Sequence, residues 1–252
     1  MPIEASVAIA VFATAVLSGV FGMAGGLILM GIYLLLFDVP TAMMLHGATQ
    51  LASNGSRALL LYRSIEWARI AFYLLGAMTM FLVFSLLVVS LDKGPTFILL
   101  GLLPLIPKRA GLSFAKRSHA AICGMIVTTG HLTAGVSGPL LDVFFLDGKW
   151  DRYKVIATKA FTQTFAHSLK LVYFGWIVAE SRAATAGEAE GEVTLLLYAI
   201  AVVCALLGTG TGRMILDRVT DRQFLHWSRR LVIVLCLVYL IRGIWMVAGG
   251  GG

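Results

Sequence analysis

The stretch Phe21-Gly22-Met23-Ala24-Gly25-Gly26-Leu27 interrupts an apolar run that extends from Ile3 to Phe37. Each glycine lowers helix propensity by about 1 kcal/mol, so three of them so close together predict a break in the helix. The break returns as Gly135-Val136-Ser137-Gly138-Pro139-Leu140, 113 residues further on (22 to 135). Both copies read Gly-x-small-Gly-(Gly or Pro)-Leu. At the same offset, with no gap, Asp38 falls on Asp151, Thr49 on Thr162 and Gln50 on Gln163. Asn54 falls on His167 and Arg57 on Lys170, which keeps polarity where identity is lost. A broken hydrophobic helix, repeated once with a polar helix behind it, predicts a transporter built from two halves.

Composition agrees with a membrane setting. The chain has 252 residues, of which 59% are hydrophobic and only 13% charged; its mean hydropathy is +0.89. Soluble domains carry about twice that charged fraction. Apolar runs long enough to cross roughly 30 Å of hydrocarbon recur throughout. The start, Met1-Pro2-Ile3-Glu4, has neither a basic n-region nor a cleavage site after its apolar stretch, so it is expected to be retained. The net charge of +7 does not imply nucleic acid, because the basic residues cluster between apolar segments, where they set topology. Cys123, Cys204 and Cys236 each sit alone in apolar surroundings and read as small hydrophobes, with no metal or cofactor expected.

In chain order the apolar segments are Ile3–Phe21, Leu27–Phe37, Thr41–Tyr62, Ala71–Leu91, Thr96–Ile106, Ser118–Ala134, Leu140–Leu146, Val155–Val178, Val193–Leu216 and Leu231–Val247. Each glycine break is either a kink or a re-entrant hairpin. The expected fold is an all-α polytopic membrane protein of two inverted repeats, each with a glycine-broken helix followed by three further helical segments. Residues 1–107 form the first repeat, 108–118 a basic linker, 119–248 the second repeat and 249–252 a glycine tail. Between segments lie an acidic loop, Glu180–Glu192, and a strongly basic one, Arg213–Arg230. Placing the basic loop in the cytoplasm puts Asp147–Lys154, the linker and Arg63–Arg69 there as well, with both termini outside. Every basic cluster then falls on one side of an inner membrane, and the second half is inserted upside down relative to the first.

His46, Gln50, Asn54 and Arg57 are spaced four, four and three, which lines them along one helix face. Lys159, Gln163, His167 and Lys170 repeat that spacing on the matching helix. An ionisable group at membrane depth costs about 2.5–3.5 kcal/mol to insert, so it faces a partner or a cavity. One reading is hydrogen bonding between helices, with cations snorkelling to the interface. The other, favoured by two matched stripes beside two helix breaks, is a site for a small anion. Backbone N–H groups at Gly25–Gly26 and Ser137–Gly138 would meet the anion, with Gln50, Asn54, Gln163 and His167 as hydrogen-bond partners. Arg57, Lys159 and Lys170 would supply the field. The glycines have a rival use in close helix packing. Asp142, the lone carboxylate at depth, either pairs with Lys159 or Lys170 or takes up a coupling proton.

At these residues the chain resembles the TauE/SafE family of sulfite and organosulfonate transporters. The resemblance rests on the two glycine breaks, on Leu51-Ala52-Ser53-Asn54-Gly55-Ser56-Arg57 and on Ile65-Glu66-Trp67, and it covers essentially the whole chain. Within Leu27–Gly31 the first break lacks the proline expected of the pattern. The resemblance implies a carrier, not an enzyme, that moves sulfite, a sulfonate or another sulfur-containing anion with proton coupling. The expected partners are that anion and the lipid bilayer; nucleic acid is not expected and a homodimer stays open. The alternatives are an intramembrane enzyme or assembly factor, or a cation or metal carrier, using His46, His131, His167 and Asp142. No HExxH, GxSxG or CxxC motif accompanies those residues.

Overall fold

A computed structural model describes residues 2–21, 24–105, 111–145, 150–186, 194–216 and 221–249, and all of its regular structure is helical. The helices are α1 (Ile3–Phe21), α2 (Ala24–Leu36), α3 (Val39–Leu60), α4 (Trp67–Leu87), α5 (Lys93–Leu102), α6 (Arg117–Thr133), α7 (Gly138–Val143), α8 (Arg152–Val172), α9 (Ala179–Ala186), α10 (Leu195–Leu216) and α11 (Asp221–Val247). Short 3₁₀ turns follow α3 at Tyr62–Ser64 and α5 at Leu103–Leu105, and a π-helical turn, Tyr173–Val178, joins α8 to α9.

Both glycine breaks are hairpins. Along a continuous helix, Thr14 and Gly25 would stand roughly 16 Å apart. Instead a Cβ built on Gly25 would lie 2.0 Å from the Thr14 carbonyl oxygen and 2.3 Å from Ser18 Oγ. Helix α2 therefore folds back onto α1, and Gly25 is the residue that lets the two backbones touch. At the second break, Ala134 ends α6 and Gly135 follows with φ +77°, a left-handed conformation that favours glycine. Phe114 N donates to Phe144 O at 2.8 Å, which returns the end of α7 to the residues that precede α6.

The helices pack in matched pairs. Helix α1 lies on α10 and α4 on α6; α3 lies on α8, and α5 on α11. Ser53 on α3 bonds Thr209 on α10 at 2.9 Å, and Tyr73 on α4 donates to the Thr162 carbonyl on α8 at 3.0 Å. Among the described residues, three stretches are long and apolar enough to cross a membrane: Trp67–Leu87, Leu195–Gly212 and Arg230–Val247. Their outward faces carry Leu75, Leu86, Leu195, Leu207, Ile241 and Trp245, all exposed, as a lipid-facing surface requires. Helices α3 and α8 are too polar to qualify because they run through the interior and carry the stripes inward, with His46, Asn54, His167 and Lys170 all buried.

Two expected loops are largely helical. The segment read as an acidic loop continues α8 through the π-helical turn into α9 as far as Ala186, and 187–193 lie outside the described residues. The basic segment Arg213–Arg230 divides between the end of α10 and the start of α11, with only 217–220 between them, outside the described residues. Charge identifies a segment that avoids lipid, but Arg, Leu, Gln and Glu are good helix formers and do not end a helix. Lys108 and Arg109 of the linker, and 250–252 of the glycine tail, also lie outside the described residues.

Candidate functional site

Asp38 precedes α3, whose first turn contains Pro40. At the matching position Asp151 caps α8, its carboxylate accepting from Tyr153 N at 2.9 Å and Lys154 N at 3.0 Å. Two long helices thus begin at equivalent points and cross side by side, which sets their stripes facing each other. Between them and the two hairpins lies a cavity of about 190 Å³.

Of the residues singled out in the sequence, Gly26, Gln50, Asn54, Arg57, Ser137, Gly138, Lys159, Gln163 and His167 line this cavity. Gly25 does not, because it is committed to the α1–α2 contact. Lys170 does not either. It is fully buried, and its Nζ bonds His46 Nδ1 at 2.9 Å and donates to Gly135 O at 3.0 Å. Asp142 stands behind the lining in an ion pair with Lys159.

The side chains of Arg57 and Gln163 make no hydrogen bond or ion pair to any described residue, so a cation and an amide are left for whatever enters. Gln50 accepts only a long bond from Asn54, at 3.4 Å. Ser137 is 1% exposed, and its hydroxyl has no partner among the described residues. Among the described residues no carboxylate lines the cavity, so its electrostatics favour an anion.

Ser18, His46, Ser53 and His131 also line the cavity, although they were not assigned to an anion site from the sequence. His46 begins the α3 stripe and was legible as polar; its partners were not. Its Nε2 lies 3.0 Å from Gly26 O, which fastens α3 to the first turn of α2. His131 and Ser18 occupy matching positions at the 113-residue offset, a sign available in the sequence once the repeat is applied to α1 and α6. Tyr239, far along the chain on α11, steadies the same region by donating to Leu27 O at 2.7 Å. Among the described residues, no group of three or more His, Cys, Asp or Glu is placed to hold a metal ion.

A comparison with protein families matches residues 7–243 to the family described as Sulfite exporter TauE/SafE. No curated protein and no solved structure matches the chain.

Proposed function

From the premise that this chain belongs to the TauE/SafE sulfite exporter family, and so is a membrane transporter for sulfur-containing anions, we propose that its cavity is the substrate site. The anion is a small one, sulfite or a short sulfonate, carried across the inner membrane by alternating access with proton coupling. The observation that carries this reading is the unpaired Arg57 in a carboxylate-free lining shared by both glycine breaks and both polar stripes.

Size supports a small substrate. Pockets for drug-sized ligands hold roughly 300–1,000 Å³, against about 190 Å³ here. The sulfonyl oxygens take hydrogen bonds from the Arg57 guanidinium and from the Gln50, Asn54 and Gln163 amides, with the Ser137 hydroxyl alongside. Lys159 adds positive charge, although Asp142 offsets part of it.

Movement follows from the layout. If the two halves are inverted copies, exchanging their conformations opens the cavity to one side and then the other. The exchange of pairings, α1 with α10 against α6 with α4, is what two halves related by a two-fold axis require, whichever way that axis runs.

The test is flux into proteoliposomes. Labelled sulfite or methanesulfonate enters vesicles holding the wild type, and Arg57→Ala and Gln163→Ala each lower the rate at least tenfold while the protein stays folded. Wild-type flux of both anions no faster than empty vesicles, or full flux in Arg57→Ala, would refute the assignment.

A further inference from the structure

Hydrogen-bond directions fix the protons on the histidines around the cavity. The Val127 carbonyl can only accept, so His131 Nδ1, 3.0 Å away, carries a hydrogen. When that ring is neutral its Nε2 is bare, and the atom 3.3 Å from it is His167 Nε2. His167 Nε2 must then be the N–H, which leaves His167 Nδ1 as a bare lone pair. That Nδ1 is buried and has no partner among the described residues.

Adding one proton to the pair can be done in two ways. Either His131 becomes the cation and donates to His167 Nε2, or His167 becomes the cation and donates to His131 Nε2. In both cases His167 Nδ1 carries a hydrogen. A second proton would set two N–H groups face to face and break the bond between the rings. The pair therefore holds one exchangeable proton, and its arrival turns His167 Nδ1 from acceptor to donor.

We propose that the His131–His167 pair is the proton site of this carrier and takes up one proton from solvent with each anion bound. This deepens the carrier reading and rests on it. An anion repels a bare lone pair and attracts an N–H, so anion and proton bind together, each tightening the other by the same factor.

The other ionisable groups around His167 are already committed. On α3, the His46 ring centroid is 5.5 Å away; its Nε2–H donates to Gly26 O and its Nδ1 accepts from Lys170. On α8 itself, Lys170 spends two hydrogens on His46 and Gly135 O. On α7, Asp142 is held by Lys159, and on α4 the Tyr73 hydroxyl donates to Thr162 O. Arg57 of α3 is a permanent cation. The device belongs to one half only, since the positions matching His131 and His167 are Ser18 and Asn54, which do not titrate.

The experiment is calorimetric titration of the purified full chain with methanesulfonate, and separately with sulfite, near pH 7.5 in two buffers of different ionisation enthalpy. Methanesulfonate stays ionised there, so any proton taken up with it is the protein's. We expect about one proton per anion in the wild type and in Asp142→Asn, and close to none in His167→Gln, whose amide can donate to His131 and to the anion without titrating. Binding without proton uptake in the wild type, or undiminished uptake in His167→Gln, overturns the proposal and leaves the anion site standing. Failure of both anions to bind the wild type removes the carrier reading and this inference together. Should His167→Gln not fold, ¹⁵N spectra of histidine-labelled wild type decide. The anion-free protein should show His131 as the Nδ1–H form and His167 as the Nε2–H form, with methanesulfonate adding a proton at His167 Nδ1. The opposite tautomers, or no change with the anion, overturn it.

Discussion

Arg57 and Lys170 occupy matching positions, yet the fold uses them oppositely. Arg57 opens to the cavity, whereas Lys170 is fully buried, tying His46 of α3 to the Gly135 carbonyl after α6. The left-handed backbone at Gly135 presents that carbonyl, and a Cβ there would meet the sulfurs of Met30 and Met43 at 2.6 and 2.8 Å. Lys170→Ala leaves two buried acceptors without a donor, at about 1–3 kcal/mol each, in addition to the space it empties. We expect a clear fall in melting temperature in detergent, with transport lost in step with folded protein. Arg57→Ala should show the converse: transport lost and melting temperature nearly unchanged. A stable Lys170→Ala protein would refute the structural role given to this lysine.

At the scale of the element, the α1–α2 hairpin separates two neighbouring glycines. A methyl group on Gly25 has nowhere to go, because the Thr14 carbonyl is 2.0 Å from its position and belongs to the backbone. Gly25→Ala must push the helices apart, and overpacking of this kind costs about 1–3 kcal/mol. The atoms nearest to a methyl group on Gly26 would be those of the Gln50 amide, at 3.6 Å and beyond, which is ordinary contact. Gly26→Ala should keep the wild-type melting temperature and weaken methanesulfonate binding, since the methyl group enters the cavity. Comparing thermal stability and calorimetric affinity of the two variants checks both halves of the expectation. Both glycines lie inside α2, and the comparison separates two uses that the sequence alone does not: Gly25 lets two backbones touch and Gly26 leaves room in the cavity.

At the scale of the whole molecule, α1 pairs with α10 and α4 with α6, and exposed apolar residues lie on α4, α10 and α11. Orientation in the membrane is a matter of loop charge. With the basic segments in the cytoplasm, alkaline phosphatase fused after Gly249 should be active and a fluorescent protein at the same point should be dark in a bacterial inner membrane. The reverse result would invert the topology.

Hydrophobicity and helical spacing are local properties, and they made much of this protein legible. Long apolar runs with two glycine interruptions led to an all-helical membrane protein, and the four-four-three spacing led to two inward faces at matched positions. Nine of the eleven residues assigned to the anion site from spacing and offset line one cavity. The rest depended on partners remote in sequence. Whether the glycine breaks were kinks or hairpins turned on Thr14 meeting Gly25 and on Phe114 meeting Phe144. Asp142 is open in the sequence to Lys159 or Lys170 as a partner, and the fold pairs it with Lys159. Lys170 looked equivalent to Arg57 until its bonds to His46 and Gly135 put it behind the cavity wall. The bare nitrogen of His167 exists only because Val127, four residues before His131, orients one ring and that ring orients the next. Residue type and spacing determined which side chains turn inward; only the packing of one helix on another decided which of those are satisfied there and which are left to meet a ligand.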